Sequence, residues 1–353
     1  MITEHREHLG DARSLDFLAD NSIDLVVTSP PYPMIEMWDG VFGALSPAAA
    51  EALAGQDGPR AFEAMHLELD RVWAELYRAL RPGGIAAINV GDATRTLRGQ
   101  FALYPNHARI LMAATRLGFS ALPDILWRKP TNAPNKFMGS GMLPAGAYVT
   151  YEHEYVLILR KGDKRSFASA ADKALRQRSA YFWEERNTWF SDLWEGLPGT
   201  RQGVKADRER SAAFPFELAH RLILMYSVQG DRVLDPFLGT GTTLAAAMAT
   251  GRQGLGVERD ESLLPAVRAQ AQSAVALGND AIDARLAAHV AFVKARQEAG
   301  KALGHHNAFY DLPVMTGQER EIVFPRPDAL EAVEDRAWRL RLQDQRLRSL
   351  FAR

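Results

Sequence analysis

Asp235-Pro236-Phe237-Leu238-Gly239-Thr240-Gly241-Thr242-Thr243 follows a short strand-like run at 232–234 and precedes a small-residue helical segment at 243–250. Two glycines at alternate positions between a strand and a helix let the backbone turn sharply and approach a ligand with no Cβ in the way. The helix start that follows offers free N–H groups to a carboxylate. The pattern argues against a P-loop, because no Gly-Lys-Ser/Thr follows; a nicotinamide fold stays open in principle, although the spacing Gly-x-Gly-x-x-Gly is not met. A second loop, Thr28-Ser29-Pro30-Pro31-Tyr32, follows the apolar run 23–27. Both loops therefore belong at carboxyl ends of buried parallel strands, where open α/β sheets bind ligands.

Outward from these loops, strand and helix patterns alternate. A short strand, a turn at Gly10-Asp11 and a short amphipathic helix lead to 23–27. Residues 62–80 form a strong helical pattern, with apolar side chains at 62, 65, 69, 72, 73, 76 and 80, ended by Arg81-Pro82-Gly83-Gly84. A strand at 85–90, a helix at 107–117 and a strand ending in Ile125-Leu126-Trp127-Arg128-Lys129-Pro130 follow. Residues 131–146 read as a loop, 154–159 as a strand, and 160–210 mix charged and aromatic residues with little periodicity. Regular structure resumes with a helix from 215, the strand into Asp235 and a strand ending at Glu258. Beyond 261 the tail reads helical, interrupted at 305–327 and heavily charged from Asp328. The alternation predicts an α/β, doubly wound sheet, divided as 1–130, 131–210, 211–275 and a helical extension over 276–353.

No apolar run approaches membrane-spanning length, and Met1-Ile2-Thr3-Glu4-His5-Arg6 lacks an apolar signal core, so a cytoplasmic location is expected. The chain has no cysteine, which excludes disulfides, thiolate zinc sites and cysteine nucleophiles. Net charge is −1, yet residues 128–210 carry fifteen Lys and Arg against ten Asp and Glu. A modest basic field in that stretch is where a polyanion would be met.

Ser29 and Pro30 each precede a proline and are driven into extended backbone, while each proline fixes its own φ, so the loop is stiff. The two loops together resemble the catalytic and S-adenosylmethionine loops of amino-group DNA methyltransferases, which methylate N4 of cytosine or N6 of adenine. With the catalytic loop first, their order resembles the permuted β class, and the resemblance extends over most of residues 8–260. It implies a mostly parallel, Rossmann-like methyltransferase sheet with a target-recognition region inserted at 131–210. It also implies S-adenosylmethionine as cofactor, duplex DNA as partner and no metal.

By the same resemblance, Ser29, Pro30, Pro31 and Tyr32 are the catalytic residues. The Ser29 hydroxyl and Pro30 carbonyl would hold one exocyclic NH2 so that its lone pair faces the methyl group, and Tyr32 would stack on a base flipped from the duplex. Asp235, Phe237, Gly239, Gly241 and Thr242 would form the cofactor loop. Glu258 would accept from the ribose hydroxyls and Asp11 from the adenine amino group. Ser191-Asp192-Leu193-Trp194 and Phe214-Pro215 resemble the segment leading into the helix that closes the methionine pocket. Arg128, Lys129, Arg160, Lys161, Lys164 and Arg165 are the expected DNA contacts, and Trp127 is a candidate wall for the base.

Thr28-Ser29-Pro30-Pro31-Tyr32 is more typical of cytosine-N4 enzymes, since adenine enzymes of this resemblance usually carry Asp where this chain has Ser29. The missing cysteine also excludes methylation on the cytosine ring. The expected product is N4-methylcytosine, with N6-methyladenine as the alternative and an RNA or protein-glutamine substrate more remote. A restriction endonuclease acting separately would be the natural partner of such an enzyme, unless the methylase is solitary. A non-enzymatic DNA-binding module would need only the basic segment.

Overall fold

The computed structural model describes residues 1–129, 138–197 and 214–346. Ten strands form its main sheet: β1 (Ile2–Leu9), β2 (Ile23–Thr28), β3 (Leu80–Val90), β4 (Phe119–Arg128), β5 (His153–Lys161), β6 (Leu193–Trp194), β7 (Arg232–Asp235), β8 (Gln253–Glu258), β9 (Pro325–Glu334) and β10 (Ala337–Asp344). Their spatial order is β6-β4-β5-β3-β2-β7-β8-β1-β10-β9. The central five, β3, β2, β7, β8 and β1, are parallel neighbours. β5 runs antiparallel between β3 and β4, and β10 runs antiparallel on β1. Every parallel strand thus delivers its carboxyl end to one rim of the sheet.

The period-two alternation of β2 splits its side chains between two cores. Val26 shares one with Met65, Leu69, Val72, Trp73 and Leu76 of the helix α1 (Gly58–Ala79) and with Ile110 and Ala114 of α2 (Asn106–Leu117). Leu25 and Val27 share the other with Leu218, Leu222 and Ile223 of α3 (Phe216–Tyr226). Each such fully buried aliphatic side chain stabilises the fold by roughly 1.5–3 kcal/mol. The doubly wound expectation holds, with helices on both faces. α1 begins before its apolar pattern does, because Asp57 accepts a hydrogen bond from the Arg60 amide at 3.2 Å and Pro59 sits in the first turn. Gly83 belongs to β3 and has φ +83°; a Cβ there would lie 2.6 Å from the Arg165 nitrogen.

Two expectations are corrected. The short helix before β2 is instead a series of turns, held from α1: Arg78 donates to the Leu15 and Leu18 carbonyls and Glu75 accepts from the Leu15 amide. The extension at 276–353 is helical only in its first part. After α4 (Thr242–Ala249), the long α5 (Leu264–Glu298) carries the chain to the β9–β10 hairpin, which covers the open edge of β1. In β10, Trp338, Leu340 and Leu342 are buried while Arg339 and Arg341 are exposed. That alternation marks a strand, and the charges of its outward face mask it. The region 131–210 contributes β5 and β6 to the main sheet.

Candidate active site

A cavity of about 900 Å³ opens at the carboxyl rim, lined by Ser29 and Pro30 on one side and by Phe237, Gly239, Thr242 and Glu258 on the other. Residues from Glu36 to Leu45, a short helical segment after the catalytic loop, also line it, as does Phe214. The two predicted loops therefore face a common space.

Asp235 joins them. Its buried carboxylate accepts from the Thr28 hydroxyl at 2.6 Å, the Thr243 hydroxyl at 2.6 Å and the Phe237 amide at 3.1 Å. Thr28 ends β2 and Thr243 starts α4, so one carboxylate fixes the catalytic strand to the glycine loop. Burial pushes the Asp235 pKa up to about 6, opposed by the donors from Thr243, Thr28 and Phe237. Sequence reading places Asp235 in the cofactor loop but misses this clasp.

Gly239 has φ +55° and lines the cavity, and its amide donates to Glu258 Oε2 at 2.8 Å. Glu258 Oε1 accepts from the Arg259 and Asp260 amides, both at 2.9 Å. Desolvation raises the Glu258 pKa against those backbone donors. Among the described residues its carboxylate is held by backbone amides alone, and it lines the cavity. Gly241 serves packing: with φ +93°, a Cβ there would sit 3.3 Å from Val267 Cγ1, and the residue does not line the cavity. Asp11 lines the cavity, but Arg13 covers its carboxylate through four bonds, from the backbone amide, Nε twice and Nη2, at 2.8–3.1 Å. The expected reach of Asp11 toward an amino group competes with that grip.

At the other loop, Ser29 Oγ lies 2.9 Å from the Tyr32 hydroxyl. The Tyr32 hydroxyl also contacts Glu154 Oε2 at 3.0 Å and receives Asn89 Nδ2 at 2.9 Å. Asn89 Nδ2 donates to Glu154 Oε2 at 2.6 Å, and Lys129 Nζ to Glu154 Oε1 at 2.7 Å. Burial first and the Glu154 charge second hold the Tyr32 hydroxyl pKa well above the usual phenol value. Neither Asn89 nor Glu154 is among the residues expected from sequence. A buried Asn ending an apolar strand is the available signal for the first. Nothing local marks Glu154, which arrives only because β5 reverses direction beside β3.

Residues 23–269 match the DNA methylase family. The chain belongs to that family. The methylase is 47% identical over 331 residues, 92% of each chain, to the Type II methyltransferase M.MthZI of Methanothermobacter thermautotrophicus. It is 48% identical over 278 residues to M.MjaI, a Type II methyltransferase of Methanocaldococcus jannaschii, covering 76% of this chain and 91% of that one. Among solved structures it resembles a putative DNA modification methylase of Thermus thermophilus crystallised with S-adenosyl-L-methionine, at TM-score 0.60 and 35% identity, covering 76% of this chain and 94% of that one. Among the described residues, no helix of the methylase is long and apolar enough to cross a membrane.

The predicted DNA contacts divide between the two rims. Arg128 stands exposed at the carboxyl rim, paired with Glu195 at 3.0 Å and Glu152 at 3.4 Å. Lys129 turns inward to Glu154. Arg160, Lys161, Lys164 and Arg165 lie at and beyond the end of antiparallel β5, which is the amino rim, away from the cavity. Arg165 pairs with Asp231 at 2.5 Å, and Lys161 bonds Asn21 and the Arg78 carbonyl. The run expected to contact DNA therefore lies on the rim opposite the cavity, and weak periodicity around it gives no hint that β5 reverses. Trp127 is fully buried, donates to the Leu197 carbonyl at 3.2 Å, and is core. The first part of the expected loop at 131–146, up to 137, and the stretch 198–213 before Phe214 lie outside the described residues.

Proposed function

We propose that this methylase transfers a methyl group from S-adenosylmethionine to N4 of a cytosine extruded from duplex DNA. The observation that carries the reading is Ser29, a hydroxyl in place of a carboxylate, held on a stiff Pro-Pro loop across one cavity from Glu258 and Gly239. The cavity fits the cofactor: Glu258 lines it, its Oε2 taking one bond from the Gly239 amide and keeping a lone pair for a ribose hydroxyl, and Gly239 leaves the wall open. S-adenosylmethionine supplies an electrophilic methyl when bound.

Ser29 Oγ and the Pro30 carbonyl accept the two amino hydrogens of the base and orient its nitrogen lone pair toward that methyl. Glu258 and the Gly239 loop would hold the cofactor, which would supply the methyl to that nitrogen, and the extra proton on nitrogen would leave to solvent. Tyr32 contributes a ring beside the extruded base. The target DNA lies across the carboxyl rim, where Arg128 is exposed and where the hairpin bearing Met142 and Leu143 also leaves large apolar side chains exposed. The Type II names of both archaeal relatives support a place beside a restriction endonuclease.

Nucleosides from DNA of cells expressing the gene, separated by mass spectrometry, test the reading. N4-methylcytosine is expected. N6-methyladenine would overturn the base assignment, and unmodified DNA would overturn the substrate.

A further inference from the structure

Ser29 Oγ carries one proton. Whether that proton points inward or into the cavity decides whether the oxygen meets an amino group as an acceptor or opposes its hydrogens. We infer that Glu154 is a positioning residue that fixes this direction through Tyr32, so that Ser29 presents lone pairs to the base. The inference rests on Ser29 being an acceptor for the exocyclic amino group.

Every donor of the cluster finds an acceptor, and of its acceptors Asn89 Oδ1 alone is left buried without a donor among the described residues. Lys129 Nζ has donors only and lies 2.7 Å from Glu154 Oε1, so that oxygen accepts. Glu154 Oε2 has two partners, Asn89 Nδ2 at 2.6 Å and the Tyr32 hydroxyl at 3.0 Å. A carboxylate only accepts, so both partners donate to it. The two hydrogens of Asn89 Nδ2 go to Glu154 Oε2 and to the Tyr32 oxygen at 2.9 Å. Turning the Asn89 amide over would set its oxygen against Glu154 Oε2, acceptor on acceptor, so the carboxylate fixes that orientation too. The Tyr32 oxygen has now given its proton to Glu154 and taken one from Asn89. Its remaining contact, 2.9 Å to Ser29 Oγ, is satisfied only if Ser29 donates. The Ser29 proton is thereby turned inward, and its lone pairs are left for the cavity.

The setting favours a single arrangement. Asn89 is 2% exposed, the Glu154 side chain is 12% exposed, and each bond is stronger for the scarcity of competing water. The relay crosses four adjacent strands, from Lys129 after β4 through Glu154 of β5 and Asn89 of β3 to Ser29 after β2. Gly91 lets it close: a Cβ there would lie 3.1 Å from Tyr32 Cε2 and 3.4 Å from Glu154 Cγ.

The test uses the full chain, S-adenosylmethionine with a tritiated methyl group, and genomic DNA from a host lacking the gene. The comparison is made on an Asn89→Leu chain, because beside a Gln at 154 the Asn89 amide would turn over and take the phenol proton on its own oxygen. On that chain Glu154→Gln lets Lys129 select the amide oxygen and turns the amide N–H2 to Tyr32, so the phenol proton swings onto Ser29 and the Ser29 proton is driven into the cavity. The single-turnover rate of methyl transfer should fall roughly 10- to 100-fold below the Asn89→Leu chain, the scale of one hydrogen bond at the reacting group. Affinities for S-adenosylmethionine and DNA and the Tm should match those of the Asn89→Leu chain. Adding Tyr32→Phe removes the misdirected proton and lets Ser29 turn, which should restore part of the lost rate. An unchanged rate on adding Glu154→Gln, a loss matched by Tm or cofactor affinity, or a further loss on adding Tyr32→Phe would each overturn the relay. Methyl transfer absent from the wild-type chain would instead remove the reading beneath it.

Discussion

The two rims of the sheet both bury carboxylates, and they hold them by opposite means. At the amino rim Asp24 and Asp231 are met by guanidinium groups: Arg81 lies 2.5 Å from Asp24, and Arg165 bonds Asp231 at 2.5 and 3.0 Å. At the carboxyl rim Asp235 and Glu258 are met by hydroxyls and backbone amides alone. A cation beside a carboxylate neutralises it and consumes its bonding directions. Neutral donors orient the group and leave capacity for a ligand. The contrast belongs to these two pairs and not to every acid of a rim, since Asp11 and Glu154 at the carboxyl rim are held by Arg13 and Lys129. Charge matched against charge stabilises Asp24 and Asp231, and charge held by dipoles leaves Asp235 and Glu258 to shape the cavity.

The largest effect that would break this contrast is at the glycine loop. Gly239→Val places a branched side chain at φ +55° on the cavity wall and should abolish S-adenosylmethionine binding by calorimetry, with thermal unfolding still cooperative. Wild-type affinity in that variant would move the cofactor away from this rim. Next, Asp231→Ala leaves Arg165 and the Val228 amide without their acceptor and should cost roughly 3–5 kcal/mol of stability in urea unfolding. Cofactor affinity of the folded fraction should not change, since the lesion lies on the other rim.

Asp235 sharpens the contrast through pH. Its folded pKa of about 6 exceeds the ordinary aspartate value of 3.8, so the native state binds the proton more tightly than the unfolded chain. The carboxyl form costs nothing below pH 4, and the penalty for ionising it grows as pH rises from about 4 to about 6 and levels off above that. Asp235→Asn avoids that penalty, and the Thr243 hydroxyl is free to donate to the Val27 carbonyl, which it already approaches at 3.3 Å. The stability of the Asn variant relative to wild type should therefore rise between pH 4 and 7, by on the order of 2 kcal/mol. A flat difference would show that the clasp does not titrate. The smallest effect concerns the basic run. Replacing Arg160, Lys161 and Lys164 by Ala should leave the salt dependence of DNA binding unchanged, because these cations lie on the rim away from the cavity. A flatter slope would bring DNA to the amino rim.

The parallel half of this architecture is legible because each of its strands announces itself locally. Residues 23–27, 85–90 and 254–258 are apolar runs ending in a turn or an acid, and α1 shows its buried stripe at Leu69, Val72, Trp73 and Leu76. The paired loops follow from the same local signals. Strand direction is not legible, and the positions of Glu154 and of the basic run follow from it. An isolated run such as 154–159 reads alike in either direction, so neither Glu154 at the mouth nor Arg160 and Arg165 at the opposite rim can be assigned to their ends. The Asp235 clasp joins residues 207 and 8 positions away, and only the folded sheet brings Thr28 beside Thr243.

The hairpin on β1 also dictates when the sheet is completed during synthesis. β1 pairs with β8 through Leu9 and Glu258 and with β10 through Ile2 and Arg341, so both of its neighbours are made long after it. At about 5–20 residues per second, β1 waits roughly ten to fifty seconds for the nearer of them. Throughout that interval its alternating side chains and both rows of its backbone groups are unpaired, a template for any extended segment in reach. Pairings so distant in sequence fold slowly, and without the β9–β10 hairpin the outer edge of β1 would stay open.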